Sequence, residues 1–235
     1  MENLSNLTPR MLASYFDHTL LRPEATPDQI ERLCEEATRA GCLAVCVNPS
    51  MLPVAQAALD GSEVLPITVI GFPLGAVPLN WKVDEARRAL DLGAREIDMV
   101  INIGRYVYTP GSGSALADEI SAVCDVLKTH GVPLKVIIET ALLSPAQIKN
   151  ASRIIANSGA EFVKTSTGFA SRGASLEDLN LIAEGIRESR NPATQIKASG
   201  GIKSLDQALA MIKAGASRIG SSNTLSIIAE LSGRK

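Results

Sequence analysis

Five charged residues stand inside short aliphatic runs, where charge is out of place. They are Asp98 in EIDMVIN, Lys135 and Glu139 in LKVIIE, Lys164 in FVKTS and Lys197 in QIKAS. Side chains alternate faces along a strand. If the Ile and Val residues flanking each charge face outward, all five charges point to one interior. Asp98, Val100 and Asn102 then share one inner stripe, and Lys135, Ile137 and Glu139 share the next. Lys164 with Ser166, and Lys197 with Ser199, extend the set across two more strands. For one such lysine the simpler reading is a snorkelling side chain in a structural ion pair. Three lysines and two carboxylates on four consecutive strands reverse that preference, because ionisable groups buried on both faces are too costly to keep as struts.

Such a cluster has a definite chemistry. A buried lysine beside other cations loses part of the solvation that stabilises its charge, and its pKa falls. The neutral amine can then attack a carbonyl and form an imine, which withdraws electrons from the adjacent carbon as aldol chemistry requires. A second lysine supplies the electrostatic perturbation, and a carboxylate moves the protons. One nucleophile, one charged neighbour and one acid/base group are the minimal set, and Lys164, Lys197 and Asp98 match it. A phosphate-binding end is also visible: Gly200-Gly201 follows one strand candidate and Gly220-Ser221-Ser222 the next, with Thr165-Ser166-Thr167-Gly168 one unit earlier. Backbone N–H groups in such loops and at helix starts cradle anions.

The elements that must position these groups alternate from end to end. Strands are expected at Leu12 to Phe16, Leu43 to Val47, Val64 to Ile70, Glu96 to Asn102, Leu134 to Glu139, Phe162 to Ser166, Gln195 to Ser199 and Arg218 to Ser221. Between them, Thr26-Pro27-Asp28, Ser144-Pro145 and Ser204-Leu205-Asp206 carry helix-start signals. Gly41, Gly93, Gly159 and Gly215 are placed to close helices. Eight strand–helix units without a linker predict a closed, parallel, eight-stranded (β/α)8 TIM barrel, with residues 1–235 as one domain and an open doubly wound sheet as the alternative. The segment Tyr108 to Ser114, YTPGSGS, reads as a loop too short for an inter-domain tether.

Composition is that of an ordinary globular protein: 46% apolar, 20% charged, formal net charge −2. With a pI near 5.8, neither nucleic acid nor an anionic membrane is an expected partner. The apolar stretch from Val64 to Leu79 is broken by Pro66, Gly71, Pro73, Gly75 and Pro78 and cannot be a membrane helix. No signal peptide is read at the N-terminus. Cys34, Cys42, Cys46 and Cys124 form no CxxC pair, so reduced thiols and a cytoplasmic location are expected. With only His18 and His130 in the chain, a His-rich metal set is not expected.

At these residues the sequence closely resembles the deoxyribose-phosphate aldolase family. The segments that carry the likeness are FDHTLL (Phe16 to Leu21), AVCVNP (Ala44 to Pro49), TVIGFPLG (Thr68 to Gly75), EIDMVINIG (Glu96 to Gly104), LKVIIET (Leu134 to Thr140), FVKTSTGF (Phe162 to Phe169), IKASGGI (Ile196 to Ile202) and RIGSS (Arg218 to Ser222), in family order. The resemblance implies a lyase that reversibly cleaves 2-deoxy-D-ribose 5-phosphate to D-glyceraldehyde 3-phosphate and acetaldehyde in deoxyribose phosphate catabolism, without cofactor or metal. It implies that Lys164 forms the Schiff base, Lys197 perturbs that amine, and Asp98 shuttles protons with a bound water. It further implies substrate contacts from Asp17, Thr19, Cys46, Lys135, Thr167, Gly168, Gly200, Gly201, Gly220, Ser221, Ser222 and Asn223. Phosphosugar and aldehyde substrates, and self-association as a dimer or tetramer, belong to the same expectation.

The sequence departs from the family pattern in three places. Asn223 stands where a second serine hydroxyl is common, and Phe169 where some members have a lysine. The chain ends LSGRK, so no C-terminal tyrosine is expected to assist. Cys46 reads first as packing, and His18, pointing away from Asp17, as structural. Rival readings are another Schiff-base aldolase, a non-catalytic phosphosugar-binding barrel and a metal-dependent enzyme.

Overall fold

Thr8 and Pro9 begin a helix, not a strand. The Thr8 hydroxyl accepts from Met11 N–H at 3.2 Å and Pro9 occupies the first turn of α1 (Pro9–Ala13), as the capping rules favour. The strand expected at Leu12 to Phe16 is therefore displaced to β1 (Phe16–Leu20). Leu12 and Ala13 are apolar because they are the buried face of a short helix. The structure, a computed structural model, describes residues 6–108 and 112–233.

The other seven strands fall where expected, the first five with ends trimmed: β2 (Ala44–Val47), β3 (Leu65–Ile70), β4 (Glu96–Val100), β5 (Leu134–Ile137), β6 (Phe162–Lys164), β7 (Gln195–Ser199) and β8 (Arg218–Ser221). The helices between and after them are α2 (Pro27–Ala40), α3 (Leu52–Ala58), α4 (Leu79–Asp91), α5 (Ile103–Tyr108), α6 (Ser112–Lys128), α7 (Pro145–Asn157), α8 (Leu176–Arg187), α9 (Leu205–Lys213) and α10 (Thr224–Gly233). Every neighbouring pair of strands is parallel, and β1 closes on β8 through Asp17 opposite Gly220. The result is the closed (β/α)8 barrel. Capping boxes start three helices: the Gln29, Gln147 and Gln207 side chains accept from the N–H groups of Thr26, Ser144 and Ser204 at 3.1, 2.8 and 3.2 Å. Gly41, Gly93, Gly159 and Gly215 all have positive φ at helix ends, the conformation a helix stop requires. Most of the expected Tyr108–Ser114 loop is taken up by α5 and α6; residues 109–111 lie outside those described. Among the described residues no helix is long and apolar enough to cross a membrane.

Alternation sorts the strand residues as the sequence requires. Ile97, Met99, Val136, Val163, Ile196 and Ile219 belong to the large core between barrel and helices. The barrel interior is divided. Over β2 and β3 it is apolar, with Ala44, Cys46, Ile67 and Val69 in a small cluster with Leu21. Across β1 and β4 to β8 it carries charge: Asp17, Asp98, Lys135, Lys164, Lys197 and Arg218 are all buried. Gly220 has a packing reason. A Cβ there would sit 3.1 Å from Ser199 Cβ and 3.3 Å from Lys197 Cε, so the missing side chain makes room for the lysine.

Two members of the expected inner stripes lie elsewhere. β4 ends at Val100, and Asn102 turns to cap α5, its Oδ1 accepting from Arg105 N–H at 3.0 Å. β5 ends at Ile137, and Glu139 takes a left-handed conformation with φ 52° ahead of a 3-10 turn (Thr140–Leu142).

Candidate active site

The register of β4 to β7 brings the lysines onto one carboxylate. Asp98 faces Lys135 across β4 and β5, and Lys164 faces Lys197 across β6 and β7. Asp98 Oδ2 accepts from Lys164 Nζ at 2.6 Å and from Lys197 Nζ at 2.7 Å, while Oδ1 accepts from Lys135 Nζ at 3.0 Å. Burial alone would push the Asp98 carboxyl up, but three ammonium groups outweigh it and hold the carboxyl well below the usual carboxylate range.

The lysines are not equivalent. Lys197 is also bridged to Asp17, and Lys135 to Glu96 at 2.5 Å. Among the described residues Lys164 has Asp98 alone as an ion-pair partner. Burial disfavours the charge on Lys197, yet Asp17 and Asp98 outweigh it and keep the group protonated well above the ordinary lysine value. For Lys164 burial dominates, Asp98 opposes it, and the neighbouring Lys197 charge adds to it, so its pKa is lowered from 10.5. Lys164 also lines a cavity of about 440 Å³ at the carboxyl ends of the strands.

The loops after β6, β7 and β8 build the rest of that cavity. Thr167 and Gly168 line one side, Gly200 and Gly201 the next, and Gly220, Ser221, Ser222 and Asn223 the third, with Thr19 from β1. Ser221 is less free than its place suggests: its hydroxyl donates to Ile202 O at 2.8 Å and accepts from Asn223 N–H at 3.0 Å. Ser222 is exposed at the start of α10, where a helix N-terminus carries partial positive charge. Thr167 is held from below, since the buried Glu139 carboxylate accepts from its hydroxyl and from its N–H at 3.3 Å. Phe169 stands edge-on to Phe72, centroids 5.4 Å apart, on the cavity wall.

Three residues expected at the substrate lie deeper. Asp17 and Lys135 are fully buried in the charge cluster beneath the cavity, and Cys46 is packed in the apolar half of the barrel. The Cys46 thiol is pushed up to about 11 by burial and by Asp98. The cysteines at 34, 42, 46 and 124 are all free and buried. His18 points outward to Glu36 at 3.1 Å.

Sequence reasoning missed four charged residues. Glu96 and Arg218 point inward beside the others, with Arg218 2.7 Å from Asp17 and 3.2 Å from Glu96. Period two was the available signal: Glu96 lies two residues before Asp98, and Arg218 two before Gly220. Arg22 and Lys203 line the cavity mouth. Lys203 could have been found as the first charge after Gly200-Gly201-Ile202.

Comparison with known proteins gives the family. Residues 11–232 match the model of the DeoC/LacD family aldolases. The deoxyribose-phosphate aldolase of Mycoplasmoides pirum is 46% identical over 217 residues, covering 92% of this chain and 96% of that one. That of Thermococcus gammatolerans is 45% identical, covering 92% and 95%. Among solved structures, the tetrameric deoxyribose phosphate aldolase of Aeropyrum pernix superposes with a TM-score of 0.89 at 31% identity, covering 99% of this chain and 96% of that one. A lysine amine sharing a buried carboxylate at the mouth of a closed barrel, and these relatives over nearly its whole length, place the chain in the DeoC/LacD family of aldolases.

Proposed function

We propose that the chain cleaves 2-deoxy-D-ribose 5-phosphate reversibly to acetaldehyde and D-glyceraldehyde 3-phosphate, with Lys164 as the attacking amine. The observation that carries this assignment is the asymmetry among the interior lysines. Lys135 and Lys197 each hold two carboxylates, whereas Lys164 holds one and lines the cavity.

The neutral Lys164 amine adds to the C1 aldehyde of the open-chain sugar, and loss of water gives the iminium. Removal of the C3 hydroxyl proton lets the C2–C3 bond break. Its electron pair flows to the iminium nitrogen, leaving an enamine and releasing glyceraldehyde 3-phosphate. Protonation at C2 and hydrolysis then free acetaldehyde and restore the lysine. Asp98, 2.6 Å from Lys164 Nζ, is the group positioned to exchange protons at that nitrogen and, through one water, with the substrate hydroxyl. Lys197 stays protonated beside Lys164 without itself reacting. The phosphate is assigned to the backbone of Gly200, Gly201 and Ser222 with Lys203, and Asn223 offers an amide in place of a hydroxyl.

Incubation with acetaldehyde and borohydride tests the assignment. The expected result is an ethyl group on the peptide containing Lys164. Labelling only by longer ketoses, or at another lysine, would overturn it. A cytoplasmic setting, supported by the four free thiols, and self-association as a dimer or tetramer complete the proposal; sedimentation velocity reads the latter.

A further inference from the structure

The charges beneath the cavity close into a ring. From Asp98 it runs to Lys135 (3.0 Å), to Glu96 (2.5 Å), to Arg218 (3.2 Å) and to Asp17 (2.7 Å). Asp17 bridges Lys197, which returns to Asp98 at 2.7 Å. Three carboxylates alternate with three cations, so the ring is formally neutral. Lys164 is a seventh group, attached to it only at Asp98. With Lys164 neutral these seven groups sum to zero, and with Lys164 protonated they sum to plus one. An uncompensated buried charge is what a low-dielectric interior disfavours most.

Glu96 and Arg218 form the far edge of this ring. Neither lines the cavity that Lys164 lines; Glu96 instead borders a separate cleft near Gln56, Arg95 and His130. Arg218 stays charged at any working pH, and its guanidinium lies over the Phe162 ring, 5.5 Å from the centroid. We propose that Glu96 and Arg218 are positioning residues for the aldol reaction. They fix the charge count of the ring so that Lys164 is the one cation without a counterpart and is kept available as the neutral amine. A strut would need only good packing; this role needs the sign of each charge.

The groups facing Lys164 are Asp98 from β4, Lys197 from β7 and the Cys46 thiol from β2. Lys135, Asp17, Glu96 and Arg218 complete the ring behind them, Arg22 and Lys203 stand at the cavity mouth, and Glu139 is turned to Thr167. Of these, Cys46 is neutral below about 11.

The inference rests on Lys164 being the reacting amine, so its test carries a separate check of that assignment. The pH dependence of kcat/KM is measured for the unaltered enzyme, E96Q, R218M and the double variant, and acetaldehyde–borohydride labelling is mapped in each. E96Q removes an anion and should move the acidic limb to lower pH by about one unit, a tenfold gain on that limb. R218M removes a cation and should move it upward by a similar amount. The double variant should return close to the starting profile. Shifts in the same direction, or none, with Lys164 still labelled, would overturn the inference. Labelling elsewhere in the unaltered enzyme would instead overturn the assignment of Lys164. Should R218M not fold, E96Q, nearly isosteric, still decides the sign.

Discussion

Lys164 and Lys197 are register partners on adjacent strands and donate to the same oxygen, Asp98 Oδ2, at 2.6 and 2.7 Å. Two ammonium groups on one oxygen repel each other, and the pair is tolerated because Lys197 has a second carboxylate in Asp17. Among the described residues Lys164 has no such second carboxylate, and burial outweighs the support that Asp98 gives its charge. The same carboxylate therefore anchors one lysine as a permanent cation and leaves the other able to lose its proton.

Replacing Lys164 by Met tests the nucleophile and its energetics together. Turnover should fall by about 10³-fold or more, since no other cavity amine stands on Asp98. The folded-state pKa of Lys164 lies below its unfolded value. Burial of the protonated lysine therefore opposes folding at every pH below the folded pKa, and that opposition fades as pH rises through it. K164M removes the term, so Tm at neutral pH should be unchanged or higher. A fall of many degrees by calorimetry would contradict the reading.

Acid stability should follow the carboxylates in the opposite sense. Burial disfavours the Asp17 anion, but Lys197 and Arg218 outweigh it and lower its pKa from 3.8 to about 2. Its stabilisation is complete above the unfolded value and disappears as pH falls through the folded one. Denaturant melts between pH 5 and 2, with both values as approximate bounds of that window, should show stability declining steeply. D17N should remove much of that slope and lower stability at neutral pH by about 3 kcal/mol, because Lys197 and Arg218 lose their shared anion.

The barrel and the meeting of Lys164, Lys197 and Asp98 in its interior were legible because they break a strong rule. Lysine and aspartate inside aliphatic runs are visible without coordinates, and period two orients them. What the chain did not disclose depended on local competition or on long-range register. Leu12 looked like strand until the Thr8-Pro9 cap decided for helix. Glu139 looked like the end of a stripe, but its backbone turns left-handed one residue after Ile138. Asp17 and Arg218 are 201 positions apart, and only barrel closure makes them neighbours. The buried Lys82–Glu119 pair, 2.6 Å apart behind β4, sits on amphipathic helices where lysine and glutamate are unremarkable in sequence.

The phosphate grip should depend on one mouth cation and tolerate another. Lys203 lines the cavity beside Gly201, whereas Phe169 occupies a wall position with an apolar ring. K203A should raise KM for the phosphorylated sugar by about tenfold with kcat little changed, and should leave turnover of unphosphorylated deoxyribose unaffected. F169K should lower KM for the phosphorylated sugar several-fold. Equal effects of K203A on both substrates would remove Lys203 from the phosphate site.

Glu139 joins a left-handed backbone to a cavity-lining loop, and two substitutions separate those contributions. It is the non-glycine residue with positive φ among those described, at 52°, and its carboxylate holds the Thr167 hydroxyl and N–H. E139A and E139G both delete the carboxylate, but only glycine adopts that backbone without steric penalty. E139G should therefore be more stable than E139A by about 1 kcal/mol in denaturant melts. Both should lose kcat/KM to a similar extent, because Thr167 is released in each. If Glu139 acts through Thr167, adding T167V to E139A should cost little more than E139A alone, a strongly non-additive cycle. Fully additive losses would show that the two residues serve the reaction separately.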